Sequence, residues 1–436
     1  MDFHETFSPV AKQPTIRIFI CITLHYNWPI TQLDISNAFI HGSLEDEVFM
    51  AQPQGFVVFH NSLSNTSLFV KKTPTSLTLL VVCVDDILLT GSDFVLLTQF
   101  LQKMHLVFSM KELGSLSYFL GINVIAQDSN YFLCQQKYAI DLLLKAGMVD
   151  CKPCSTPLAV KSSASLSDDI LFAQPSLYHS LVGGLQYLTI TRPDLSLVVN
   201  QACQHMHVPT NAHFQNVKRL LRYVKGTVSH GLSFTPCPFT LDAFSDSNWA
   251  GDALDRRSTS GYYIFLGPNL ISWSAQKQPT VSRFSTEAEY RSLANTTVEL
   301  SWLQQLLKDF SFPTSSIPTL WCDNLSAMAF ASNPVFYTRC KHIVIDYHFI
   351  RERVVAKQVV LKYVPTSDQL ADLFTKPLSG SRFHYLKDKL MLLPSPISLK
   401  EANKIQASRG REGTSIVSTA IADATLVSSV SDCDVG

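Results

Sequence analysis

The 436-residue sequence has no excess of either charge, with Lys plus Arg and Asp plus Glu at 35 each. That balance excludes a uniformly basic coat, so any attraction to phosphates must be local. No apolar run reaches the ~20 residues that a membrane-spanning helix needs. The ten cysteines form no even framework, and no charged-then-apolar leader opens the chain. Both absences point to a reducing, intracellular setting rather than secretion. Cys151-Lys-Pro-Cys154 and Cys203-Gln-His-Met-His207 each look like half a zinc site. Neither has a second pair at suitable spacing, so structural zinc is not expected. What is present, 46% apolar and 16% charged residues, is the composition of a globular protein long enough for two or three domains.

Hydrophobic patterning divides the chain into four blocks. Residues 1–155 mix short apolar strands with helical stretches. A Ser-rich linker over 156–176 and a mostly helical stretch after it make 156–238 a linker and helical connection. In 239–392, residues 261–266 and 270–274 flank a Gly267-Pro-Asn269 turn as strands of a meander. A helix follows over 286–310, and 359–364 is a last strand before a helix carrying Asp372. The tail, 393–436, is rich in Ser, Ala and Val without periodicity and reads as poorly ordered. Within the connection, helical spacing puts Val217, Leu220, Leu221 and Val224 on one side and Lys218, Arg222 and Lys225 on the other. The basic side is either a solvated face or a track for a phosphate backbone, and spacing alone leaves both open.

Four acids of the third block stand at strand ends and helix starts: Asp246, Glu289, Asp323 and Asp372. In-line cleavage of a phosphodiester needs two hard cations about 4 Å apart, one activating water and one steadying the leaving oxygen. Carboxylates are the ligands Mg²⁺ prefers. Taken singly, each acid also has an ordinary explanation. Thr286-x-x-Glu289 has the form of a capping box, Asp323 stands just before a helix starting near Leu325, and Asp372 in a first turn suits the helix dipole.

The first block carries a similar set. Leu79-Leu-Val-Val-Cys-Val-Asp-Asp-Ile-Leu-Leu-Thr-Gly91 places Asp85 and Asp86 between apolar runs, and Gln32-Leu-Asp-Ile-Ser-Asn-Ala-Phe-Ile-His-Gly42 places Asp34 after another. By itself the pair is an ordinary hairpin turn. The other reading is that Asp34 and Asp85 share two metals, one acting on a primer 3′-hydroxyl and one on a triphosphate.

The flanking residues bring a resemblance. Phe7-Ser-Pro-Val-Ala-Lys12, Asn27-Trp-Pro29, the Asp34 and Asp85 segments and Met110-Lys-Glu-Leu-Gly-Ser-Leu-Ser-Tyr-Phe-Leu-Gly121 resemble, in order, the reverse transcriptase domain of copia-type LTR retrotransposon polyproteins. Phe244-Ser-Asp-Ser-Asn-Trp-Ala-Gly-Asp252, Ser285-Thr-Glu-Ala-Glu-Tyr290, Trp321-Cys-Asp-Asn324 and Asp368-Gln-Leu-Ala-Asp-Leu-Phe-Thr-Lys-Pro377 resemble the ribonuclease H domain of the same polyproteins. The likeness covers residues 2–392. It implies a mixed α/β and α+β protein: a truncated reverse transcriptase palm and thumb over 1–155, the helical connection, and a ribonuclease H-like α/β domain with a mixed sheet over 239–392.

By that resemblance Asp34, Asp85 and Asp86 are the catalytic acids of an RNA-directed DNA polymerase, with Asp34 and Asp85 as metal ligands. Asp246, Glu289, Asp323 and Asp372 are the catalytic acids and metal ligands of the nuclease. Apart from the resemblance, if the basic side of the 214–225 stretch tracks a phosphate backbone, Lys218, Arg222 and Lys225 are its nucleic-acid contacts. The implied cofactor is Mg²⁺ or Mn²⁺, two ions per active site. The implied partners are an RNA–DNA hybrid, a template-primer and the element's capsid protein, in a cytoplasmic particle or the nucleus, with no membrane.

The chain departs from the family pattern at several points. Between Phe56 and Ser67 it lacks the segment that in relatives lines the incoming nucleotide and supports the palm, and it begins inside the fingers. Cys83 stands where the family has Tyr, Phe284 where Ser is usual and Val344 where an acid is usual. The expectation is a polymerase that no longer extends primers, a loosely folded first 155 residues, and a nuclease unit with every presumed ligand in place. A catalytically silent relic that only binds nucleic acid is the alternative. His342 and His348 are not expected to be catalytic, since a packed or solvent-facing histidine is the commoner case.

Overall fold

The computed structural model describes residues 11–35, 59–84, 86–108, 110–160, 170–332 and 344–396. Asp85, His342 and most of the tail lie outside the described residues. The first helix, α1 (Gln13–Tyr26), has a proline in its first turn and ends at Asn27 in the left-handed region. Its residues from Thr15 to Thr23 are all buried, so it is a core helix without a solvent face.

Beside it, β1 (Thr31–Ile35), β2 (His60–Asn61), β3 (Leu68–Lys72), β4 (Leu77–Cys83), β5 (Asp86–Gly91) and, after α2 (Phe94–Val107), β6 (Met110–Ser115) form one sheet in the order β2-β3-β4-β5-β1-β6. Alternation along β4 explains its two faces. Leu79, Val81 and Cys83 join the main core with α1, whereas Leu80 packs with Leu33, Ile87, Leu89 and the α2 residues Leu97 and Met104. Asp93 caps α2, accepting from Val95 N at 2.9 Å and Leu96 N at 3.1 Å.

The next strands, β7 (Tyr118–Phe119), β8 (Ile122–Gln127) and β9 (Asn130–Cys134), precede α3 (Gln136–Lys145), α4 (Pro175–Leu188), α5 (Ser196–Cys203), α6 (Asn211–Gly226) and β10 (His230–Phe234). The amphipathic reading of α6 holds, because Val217, Leu220, Leu221 and Val224 are each at most 1% exposed.

The third block contributes β11 (Leu241–Asn248), β12 (Thr259–Leu266), β13 (Asn269–Lys277), α7 (Ser285–Asp309), β14 (Thr319–Cys322), α8 (Leu325–Ser332), α9 (Val344–Val355), β15 (Val360–Tyr363), α10 (Asp372–Thr375), α11 (Gly380–Asp388) and β16 (Leu392–Pro394). Its sheet runs β13-β12-β11-β14-β15. The first three strands are antiparallel, while β14 and β15 are parallel to β11, giving the mixed sheet of a ribonuclease H-like domain. Gly267 makes the β12–β13 turn with φ 56, and a Cβ there would lie 2.7 Å from Cys237 Cβ, so both backbone and space require glycine. Among the described residues no helix is long and apolar enough to cross a membrane.

Two sheets each lie within one block, and a third crosses the boundaries. β16 pairs with β10, and β10 pairs with β9, so the sheet β16-β10-β9-β8-β7 takes strands from the first block, the connection and the 392–394 stretch where the tail begins, whose first residues are therefore part of a sheet. The first block is also tied to the third by polar contacts. Arg17, 5% exposed, donates to Ile271 O at 2.8 Å and Ile190 O at 2.9 Å, with its guanidinium 3.9 Å from the Trp273 ring centre. Residues at the chain's shortened loop dock on α7: Ser62 Oγ donates to Asp309 Oδ2 at 2.7 Å, and Trp302 Nε1 to Ser64 O at 3.0 Å. These anchors differ from the expectation of a loosely folded first block, since α1 and the loop complete the third block's core.

Arg17→Ala removes the donors of two carbonyls and the cation on Trp273. Each buried acceptor left unpaired costs about 1–3 kcal/mol, so a loss of about 3 kcal/mol in chemical denaturation is expected. An unchanged midpoint would show that α1 does not hold the blocks together.

Candidate metal centre

Asp246 lies near the C-terminal end of β11, the central strand, and is fully buried. Directly across β12 stands Gly261. A Cβ on Gly261 would come within 2.6 Å of Phe374 Cβ, so its absence lets α10 settle onto the sheet beside Asp246. On the other side, α7 is pinned to β11 by hydroxyls: Ser292 Oγ donates to Asp246 O at 2.8 Å, and Ser245 Oγ to Ser292 Oγ at 3.0 Å. Glu289 precedes Ser292 by three residues, the helical spacing that places both on one face, and it is 7% exposed.

The ordinary explanations of the acids fail locally. α7 starts at Ser285 after Phe284, which makes no side-chain cap, so Thr286 and Glu289 form no capping box. Glu287 takes the terminal role, accepting from Arg283 N at 2.9 Å. Asn324, not Asp323, serves α8: its Oδ1 accepts from Ala327 N at 3.0 Å. Asp372 begins α10, yet its carboxylate turns to Lys376 at 2.7 Å and to Arg382.

The acids thus meet around Asp246. Ligand atoms of Glu289, Cys322 and Asp323 lie within 4.8 Å of one another. Asp323 is half-buried and accepts from Thr366 Oγ1 at 3.0 Å and Gln369 Nε2 at 3.4 Å. The same Gln369 amide donates to Ser245 O at 3.0 Å, tying the β14 end to β11. Asp246 accepts from the Thr375 hydroxyl and from Lys376 at 3.1 Å.

Electrostatics follows from this crowding. Burial, then Asp246 and Asp323, push the Glu289 carboxyl well above the usual range, with Lys376 and the Ser247 backbone N–H pulling the other way. Burial and Asp246 raise Asp372 to about 6 against the pull of Lys376 and Arg382. Burial would lower Lys376, but Asp246 and Asp372 hold its ammonium above the ordinary lysine value.

Glu289 Oε2 is buried with no hydrogen-bond partner, an orphaned hard oxygen aimed into the cluster. The donors are oxygens from four elements, which suits Mg²⁺ or Mn²⁺. Cys322 Sγ lies in the same group, but a soft sulfur is a poor ligand for Mg²⁺, and Asn324 N donates to it at 3.3 Å. Lys376, Thr375, Gln369 and Arg382 were not singled out from the sequence, although the i, i+4 spacing of Asp372 and Lys376 was visible there.

In the first sheet Asp34 pairs with Asp86 across β1 and β5, so the two lie on one face, both half-buried. Gln32 Nε2 donates to Tyr118 O at 2.8 Å and lies 3.5 Å from Asp86 Oδ1. Asp85 lies outside the described residues. Before it, Val84 has φ 58, a strained conformation for a β-branched residue. Cys83 is buried in the main core, and burial lifts its thiol to about 11.

On α6, Arg222 Nε donates to Lys152 O at 2.7 Å, Lys218 sits 4.9 Å from the Phe214 ring centre, and Lys225 is half-buried. Arg222 is therefore part of the packing of the 151–156 segment. His348 meets Tyr347 edge-on at 5.5 Å.

The family model described as reverse transcriptase (RNA-dependent DNA polymerase) matches residues 1–65 and 57–160, two pieces that overlap over 57–65. The retrovirus-related Pol polyprotein from transposon RE2 of Arabidopsis thaliana is 42% identical over 91% of this chain, which spans 30% of that polyprotein's length. An uncharacterised mitochondrial protein of the same plant is 54% identical over 51% of this chain and 93% of its own length. The foamy viral protease-reverse transcriptase, solved with an RNA/DNA hybrid, aligns with 80% of this chain and 45% of its own at a TM-score of 0.44 and 10% identity. With the palm strands in order and a ribonuclease H-like sheet following them, the chain belongs to the copia-type retrotransposon Pol polyproteins, carrying their reverse transcriptase and ribonuclease H-like regions.

Proposed function

We propose that the ribonuclease H-like domain hydrolyses the RNA strand of RNA–DNA hybrids with two Mg²⁺ or Mn²⁺ ions, and that the reverse transcriptase region does not extend primers. The observation that carries the first part is the convergence on Asp246 of Glu289, Asp323 and Asp372, with Glu289 Oε2 buried and unpartnered. When bound, the ions supply Lewis acidity to the attacking water and the leaving oxygen. The chain's part is to hold the carboxylates in place beforehand. Thr375 fixes one oxygen of Asp246, Ser292 fixes its backbone, and Gln369 joins Asp323 to β11, so little reorganisation remains when a phosphodiester arrives. Lys218 and Lys225 are the α6 residues proposed to meet a phosphate backbone, Arg222 being occupied by Lys152 O.

Asp246→Asn should lower hybrid cleavage at least roughly a hundredfold, the scale of one well-placed charged group, with hybrid binding nearly unchanged. Equal cleavage by wild type and variant would remove Asp246 from the site.

Stability should carry the same signature. Asp372 is harder to ionise folded than unfolded, so without metal its contribution is full below the unfolded value of 3.8 and is lost as pH rises through about 6. Divalent ions need the ionised form, so their stabilisation grows over that window. Tm measured with chelator should fall across it, and the gap between Mg²⁺ and chelator curves should widen. Parallel curves would contradict the linkage.

For the polymerase region, Asp34 and Asp86 share a face but the nucleotide-lining segment is missing. Positioning supplies roughly 7 to 11 kcal/mol of such barriers, so template-primer assays should show no extension. Extension abolished by Asp85→Asn would show that the gap is tolerated.

A further inference from the structure

Among the acids stands a cation that metal binding does not require. Lys376 follows Asp372 by one helical turn, and its ammonium lies 2.7 Å from Asp372 Oδ1 and 3.1 Å from Asp246 Oδ1. It bridges the two carboxylates that a divalent ion on this side of Asp246 would have to share. The other Asp372 oxygen is held by Arg382, and the other Asp246 oxygen by Thr375. Across Asp246 the arrangement differs: Glu289 Oε2 has no partner, and Asp323 accepts from the uncharged Thr366 and Gln369. The two sides of one acid cluster are therefore unequal in charge.

We propose that Lys376 is a resident counter-cation that keeps the Asp246–Asp372 side closed to a divalent ion until a hybrid's phosphate draws its ammonium away, whereas the Glu289–Asp323 side takes an ion directly. The inference rests on the two-metal reading.

Three physical features support it. Asp246 and Asp372 side chains are 0% and 2% exposed, so leaving them without a cation is costly and some cation must be present at every stage. Lys376 is 34% exposed and carries its charge on a flexible four-carbon stem, so it can leave without rearranging α10. A phosphodiester offers the ammonium anionic oxygens in exchange for the carboxylates it gives up. Arg382 keeps Asp372 aimed during the exchange because it holds the oxygen that Lys376 does not.

The test counts Mn²⁺ bound to the full chain by electron paramagnetic resonance of the free ion, with no turnover involved. Wild type without nucleic acid should bind one ion at the cluster, and addition of a hybrid made uncleavable by 2′-O-methyl RNA should raise the count to two. Lys376→Gln, which removes the charge but keeps a donor for a carboxylate, should bind two ions without hybrid. Lys376→Arg, which keeps the charge, should remain at one. Asp246→Asn sets the background from surface acids.

Two ions on free wild type, or one on folded Lys376→Gln, overturns the counter-cation role while leaving the two-metal reading intact. If Lys376→Gln does not fold, the wild-type count decides: a rise from one to two on adding the hybrid supports the role, and no rise overturns it. No ion above the Asp246→Asn background, with or without hybrid, overturns the two-metal reading and this inference with it.

Discussion

The fully buried Asp246 carboxylate sets the constraint on the nuclease half. A carboxylate taken out of water on a central strand must be compensated by cations and donors, and the surrounding elements do this. Thr375 and Lys376 reach it from α10, Ser292 holds its backbone from α7, and the missing side chain at Gly261 makes room for α10 to do so. Glu289 and Asp372 are harder to ionise than ordinary carboxyls, first because they are buried and then because Asp246 is near. Stability alone would favour apolar residues at these positions.

The polymerase half is bound to this site mechanically. α1 contributes Thr15–Thr23, all buried, to the shared core, and Arg17 joins carbonyls of the connection and of β13. The loop between β2 and β3 rests on α7 through Ser62, Ser64 and Asp309. α7 also carries Glu289, so the first block supports, through packing, the helix that brings one acid to the cluster.

Much of this was legible in residue order. Alternation located the β12–β13 meander, and the 3.6-residue period located α7 to within a residue and the amphipathic part of α6. The four nuclease acids were visible as a set because each has distinctive neighbours in the chain. Their local alternatives were not resolvable from sequence, since deciding between capping and ligation depends on where a helix starts: Phe284 rather than Ser285 precedes α7, and Asn324 rather than Asp323 serves α8. Contacts between distant segments were invisible for a plainer reason. Nothing periodic marks Arg17 as the partner of Ile271, or Ser62 as the partner of Asp309, because those pairs exist only after the chain has folded. Arg222 shows the converse error, in which helical spacing suggested an open basic face and the 151–156 segment occupies it.

The central claim is that Asp246, Glu289, Asp323 and Asp372 form a divalent-metal centre. Its most direct test is anomalous scattering from crystals grown with Mn²⁺ and an uncleavable RNA–DNA hybrid. The account predicts one peak among Asp246, Glu289 and Asp323 and a second between Asp246 and Asp372, with the Lys376 ammonium displaced toward a phosphate. Anomalous density confined to surface acids, with Lys376 still bridging Asp246 and Asp372, would contradict it.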